Sequence, residues 1–180
     1  MTDFRDPDPD LAAELRSGPG REWAEDAAED ERLTELLRRR RLHLKDVMRD
    51  FAHRGARVSV DAGGHSFSGV LIAAGDDYGT LEGAGQVTEV RYEAGAWSVI
   101  VIDRGTPEEP ILNAVTFKAR LHEHAAARTR IQLGLEGGLI LTGVVGVVAA
   151  DHLEFIDVDE RRFYVPLNRI LGASRSIDPH

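Results

Sequence analysis

Residues 139–172 read LILTGVVGVVAADHLEFIDVDERRFYVPLNRILG, the densest run of strand signals in the chain. β-Branched Val144, Val145, Val147 and Val148 are followed by Leu153, Phe155 and Ile156, then Phe163, Tyr164 and Val165, then Leu167, Ile170 and Leu171. Such residues suit a pleated, half-buried surface, and the Asp and Gly between the groups supply turns. Asp157-Val158-Asp159-Glu160 is the expected tip of one hairpin. Gly143 and Gly146 fall inside the longest strand, where a missing side chain lets the strand bend or another backbone approach. Pro166 has no N–H to give to a ladder, so it fits a short turn between two strands. With Arg130-Ile131-Gln132-Leu133 and the Glu136-Gly137-Gly138 turn in front, the stretch makes five short strands in about forty residues. A small, strongly bent barrel is the expected closure.

The same pattern occurs earlier. A shift of 74 lays Phe67 on Leu141, Gly69 on Gly143, Leu71 on Val145, Asp77 on Asp151 and Leu81 on Phe155. A shift of 73 brings Arg57 onto Arg130 and Val58 onto Ile131, and upstream it puts Leu44 on Phe117, Met48 on Leu121 and Ala52 on Ala125. Such self-similarity marks an internal repeat, here a helix followed by a barrel and used twice. Units of about seventy residues are near the lower limit for an independent core, so the two are expected to pack together. The repeats differ at their ends. VTEVRYEAGAWSVIVIDR, residues 87–104, reads as a longer hairpin around Gly95, and its Trp97, Val99, Ile100, Val101 and Ile102 are apolar on both faces. That implies burial on both sides, at a contact between barrels or between subunits.

The order of strand, Gly turn, LTGxVxxVxxDHLEF, acidic turn and YVPLNRI resembles the Sm-like (LSm) small-barrel fold. Over residues 33–172 the layout is also similar to a group of actinobacterial proteins, some labelled "Fis family transcriptional regulator". The resemblance implies RNA as a ligand and assembly through edge strands, so that a fused pair would close a ring from three chains. In Sm proteins an acidic residue near Asp77 and Asp151 arranges a loop whose next Asn contacts a base. Here Tyr78-Gly79 and His152-Leu153 follow instead. The second Sm motif falls on Val165-Pro166-Leu167-Asn168-Arg169, which leaves Asn168 and Arg169 as RNA candidates. Tyr78 and His152 are candidates for stacking on a base, as rings do at single-stranded sites. The transcriptional label implies a helix-turn-helix, but each predicted helix runs into a strand, so the label is set aside.

The expected fold is α+β and mainly β. It comprises an acidic tail (1–22), an N-terminal helix (23–54), a first Sm-like or SH3-like barrel (55–104), a linker (105–112), a helix with the second barrel (113–172), and a tail (173–180). The first 20 residues are rich in Asp, Pro and Gly, a disordered composition. Leu33, Leu37, Leu44, Val47, Met48 and Phe51 recur at helical spacing, which places one helix from residue 23 or 26 to residue 53, stopped by Gly55. Its acidic start and basic end complement the helix dipole. Phe117, Leu121 and Ala125 mark a second helix over residues 113–128.

The 180 residues include 22 basic and 31 acidic side chains, a net charge of −9, and no Cys. Disulfides and thiolate metal sites are therefore excluded. The acidic balance argues against strong non-specific nucleic-acid binding, because that affinity rests on Lys and Arg neutralising phosphates. Arg38, Arg39, Arg40 and Arg41 form the one basic run. It reads either as a phosphate contact or as a solvated helix face paired with acids one turn away. No secretory signal and no bilayer-length apolar run is present, so a soluble cytoplasmic protein is expected.

Catalytic motifs are missing: there is no Cys nucleophile, no phosphate loop with Lys and Ser or Thr, and no GxSxG elbow. His122-Glu123-His124 does not chelate on a helix, because residues two apart do not share a face. His65 and His152 read as surface or barrel-rim residues. No enzyme activity, metal or cofactor is expected. Two readings of function remain. One is an RNA-associated regulator using Asn168, Arg169, Tyr78, His152 and the arginine run; the other is a protein-interaction adaptor whose helix presents Leu37 and Leu44.

Overall fold

The computed structural model describes residues 19–101 and 115–177. The expected tail up to residue 18 and the expected linker, 105–112, lie outside them. The chain divides into two units, Met1–Leu42 and His43–His180.

In the first unit, helix α1 runs over Pro19–Arg41 and carries the four arginines in its last turn. Residues 19–22, expected as tail, are already helical. The single helix expected to reach residue 53 is instead two, because His43 is extended at φ −81°, ψ 154° and starts α2, Leu44–His53. The backbone N–H of His43 donates to Asp46 Oδ2 at 3.3 Å, a contact that begins a new helix.

Among the described residues, the second unit holds ten antiparallel strands. They are β1 Arg57–Ala62, β2 His65–Ala74, β3 Tyr78–Gly83, β4 Gln86–Arg91, β5 Ala96–Val101, β6 Arg130–Leu135, β7 Ile140–Val148, β8 His152–Asp157, β9 Arg162–Pro166 and β10 Ile170–Ser176. Helix α3, Phe117–Ala127, precedes β6 and is capped by Thr116, whose side chain accepts the Ala119 N–H at 3.2 Å. The expected second helix is therefore shorter than predicted, and residue 113 lies outside the described residues.

All ten strands belong to one open sheet, in the order β5-β1-β2-β3-β4-β10-β6-β7-β8-β9. This overturns the expectation of two closed small barrels. The halves do repeat: each lays its fifth strand beside its first and continues through the second and third to the fourth. Closing either half would need its fifth strand to return to its own fourth. Instead β4 pairs with β10, from Gly172 opposite Val90 to Ser176 opposite Gln86. That one ladder satisfies the backbone groups of both edges, so the halves fuse instead of closing. It also makes residues 173–176 part of the sheet and not a tail.

The expected hairpin around Gly95 is absent as well. A 3-10 turn, Tyr92–Ala94, carries the chain away from β4, and β5 pairs with β1, where an added Gly95 Cβ would stand 2.1 Å from the Asp61 carbonyl oxygen.

The repeat extends to fine detail. The β2–β3 ladder shifts register between Leu71 and Ala73, and the β7–β8 ladder between Val145 and Val147. An added Cβ at Gly69 would stand 2.5 Å from the Glu82 carbonyl oxygen, and one at Gly143 only 2.0 Å from that of Ile156. These two glycines are where the long strands let a neighbouring backbone close in. Helix α2 packs on β2 and α3 on β7. The Tyr92 N–H reaches the Asp77 carbonyl at 2.9 Å, and the Leu167 N–H reaches that of Asp151 at 2.8 Å.

Two apolar cores result, and each borrows from the other half. Leu171 joins Met48, Val58, Val60, Leu71 and Leu81 in one, while Tyr78 joins Phe117, Leu121, Leu133, Leu153 and Phe155 in the other. The expectation that the halves pack together holds. No described helix is long and apolar enough to cross a membrane.

Candidate functional site

Among the described residues, the sheet has two strands with only one neighbour, β5 and β9. β5 reads AWSVIV, without a charge. Trp97 anchors it, its ring meeting that of Tyr92 edge-on at 5.4 Å. Val99 and Ile100 are exposed, Ile100 at 55%. The sequence places this strand, buried on both faces, at a contact between barrels or between subunits; the joint between the halves is made by β4 and β10, which leaves β5 at an edge. An apolar edge strand without charge is a template for pairing with another chain. At the other end, Pro166 closes β9, Tyr164 is 66% exposed, and Arg162 reaches Glu154 at 3.6 Å.

The residues picked from the sequence as an RNA site are dispersed. Tyr78, a stacking candidate, is 1% exposed inside a core, where burial pushes its phenol up to about 12, so it presents no ring face to a base. Its counterpart His152 stands at the β9 rim, edge-on to Tyr164 at 6.0 Å, with Nδ1 2.7 Å from Asp151 Oδ1. That hydrogen bond holds the Asp151 carboxyl below its usual range. Asn168 and Arg169 occupy the exposed 3-10 turn before β10, and Arg169 is paired with Glu136.

In α1, Glu35 accepts from Arg38 Nε and from Arg39 Nε, each at 2.8 Å. These two bonds, Arg38 first, draw its carboxyl down to about 2. The paired-face reading of the run thus applies to its first two arginines. Arg40 and Arg41 are exposed. Leu37 on α1 and Leu44 on α2, the candidates for a partner, are 53% and 44% exposed.

One polar cluster escaped the sequence reading. Glu89 on β4 is fully buried, and its carboxylate accepts from Arg120 Nε at 3.0 Å while lying 3.3 Å from His124 Nε2. His122 is exposed and His124 is buried, so the HEH triplet does split between two faces, but His124 is a core residue and not part of a polar face. A Glu in the middle of the apolar strand VTEV was the available signal. Among the described residues, no group of three or more His, Asp or Glu is placed to hold a metal.

No protein-family model matches the chain, and neither does any curated protein.

Proposed function

We propose that the protein is a non-enzymatic interaction module, an adaptor that works by strand addition at the free edges of its sheet, and that its first partner is another copy of itself. The observation that carries this reading is an equivalence. By the internal repeat, β5 corresponds to β10 and β9 to β4, and β10 and β4 are the two strands already joined inside the chain. A second copy setting its β9 against β5 would repeat that joint. In the β4–β10 register, Ala173 lies opposite Glu89 and Ser174 opposite Thr88. The corresponding contact would set Trp97 opposite Tyr164 and Ser98 opposite Phe163, pairing an aromatic edge with an aromatic edge.

Such a joint is head-to-tail, and it closes into a ring only if its rotation permits. Three chains would supply six repeats. An RNA-associated role has less support, since Tyr78 lies in a core and Arg38, Arg39 and Arg169 already hold carboxylates.

Sedimentation velocity of the full chain from low to high micromolar concentration tests the reading. A mass that rises above the monomer in the wild type and stays monomeric in an Ile100→Lys variant supports it. A wild-type monomer throughout, or association unchanged by Ile100→Lys, overturns it.

A further inference from the structure

Helix α1 holds large apolar side chains in solvent: Leu33, Leu36 and Leu37 are 50%, 46% and 53% exposed. Spacings of three and four residues put them on one face of a helix. Through Leu33 and Leu37 that face runs on in both directions by alternating steps of four and three, Asp26, Asp30, Leu33, Leu37, Arg40. This is the spacing of a seam along which two helices meet. The seam is acidic at one end, apolar in its middle and basic at the other end.

The arginine run is divided by this seam. Arg38 and Arg39 turn their Nε atoms to Glu35, which lies off it, whereas Arg40 falls on it. Asp26, Asp30 and Arg40 are exposed, and among the described residues no ion pair engages them. The order of the charges decides what fits. A parallel copy of the helix would set Asp30 on Asp30 and Arg40 on Arg40, and like charges so placed repel. An antiparallel copy centred at the level of Glu35 sets Leu33 against Leu37 and Asp30 against Arg40, each twice by two-fold symmetry.

We propose that α1 pairs antiparallel with the α1 of a second copy of this chain, with Leu33 and Leu37 as its apolar layers and Asp30–Arg40 pairs closing both ends. Two leucine layers fall well short of the about 1,200 Å² of buried surface at which stable interfaces begin, so two single chains meet only briefly through them. Chains joined at their sheet edges would present several copies of α1 together, and the contact then strengthens by number. The pairing itself is independent of strand addition at β5 and β9.

Disulfide trapping tests it, because the chain has no Cys of its own. Full-length Asp30→Cys and Arg40→Cys are made in the Ile100→Lys background, which removes strand addition as a source of encounter and lets the two readings fail separately. They are oxidised alone and as a mixture. In the antiparallel pair the two introduced thiols of the mixture face each other, while the remaining Arg40 and Asp30 still form their ion pair. Two copies of the same variant hold their thiols about 15 Å apart along the helix axis, beyond the about 7 Å between Cα atoms that a disulfide spans. The expected result is a mixed disulfide in clear excess over either self-disulfide, and its loss when Leu33→Gln/Leu37→Gln, which keeps good helix formers, is added. Self-disulfides equal to or exceeding the mixed product would mean a parallel or random encounter and overturn the proposal. A mixed product unchanged by the glutamines, or no disulfide in any sample, would overturn it as well and leave this face to a different occupant.

Discussion

Glu89 Oε2 and His124 Nε2 lie 3.3 Å apart with both side chains shut off from solvent. Glu89 stands on β4 opposite Ala173 of β10, and His124 belongs to the helix that leads into the second half. A carboxylate at the joint is thus gripped from a helix of the other half, with Arg120 on its second oxygen. A buried charge is tolerated only while paired, and removing one partner strands the other. Arg120→Ala should therefore cost about 3–5 kcal/mol in urea unfolding. A cost below about 1 kcal/mol, the range of surface pairs, would show that Glu89 is solvated in solution.

The glycines of the long seventh strand are predicted to differ sharply. At Gly143 a Cβ would meet backbone, the Ile156 carbonyl, while at Gly146 the nearest atom is Glu154 Oε1 at 3.3 Å, the far end of a movable side chain. Gly143→Ala should destabilise by about 2 kcal/mol or more and Gly146→Ala by less than about 1 kcal/mol. Equal thermal shifts for the two variants would contradict the close approach of β7 and β8.

Acid should act on α1 through Glu35. Its carboxyl is drawn from 4.5 down to about 2 by Arg38 and Arg39, so its contribution is complete above pH 4.5 and is lost as pH falls toward 2. In circular dichroism, the helicity difference between wild type and Glu35→Gln should shrink across that window. A difference independent of pH would show that the two arginines do not engage Glu35 in solution.

Alkali should act on the core through Tyr78. Burial raises its phenol from 10.0 to about 12. The folded state therefore favours the neutral phenol. Its contribution is intact below pH 10 and is lost as pH rises through 12. Tyr78→Phe should lessen the fall in stability over that range, measured by chemical unfolding at stepped pH. An identical fall in the two proteins would place the alkaline transition elsewhere.

Local structure was legible where period and turn chemistry agree. The five strands after residue 130, the tip at 157–160, Pro166 at a strand end and the shift relating Gly69 to Gly143 all follow from side-chain alternation and glycine placement. Which strands become neighbours did not. AWSVIV reads as a doubly buried strand because its residues are apolar, but its place at an edge depends on the pairing of β4 with β10, and Thr88 and Ser174 are 86 residues apart. Alternation says which side of a strand faces a core and nothing about which distant strand lies beside it. The site candidates show the same limit. Tyr78 looks like a stacking residue in a turn and is core, because the second half packs over it.

The strand at the centre of the sheet, β10, is the last of the ten to leave the ribosome. Until then β4 is an open edge, although the strands on its other side are complete and can pair among themselves as soon as they emerge. A newly made chain must therefore hold a half-sheet with an exposed rim for as long as it takes to translate the second half. During that interval the rim can be met by the β10 of a finished neighbour as well as by its own. Exchange of this strand between chains, and its dependence on how fast and how densely the protein is made, is a hazard inherent in the strand order.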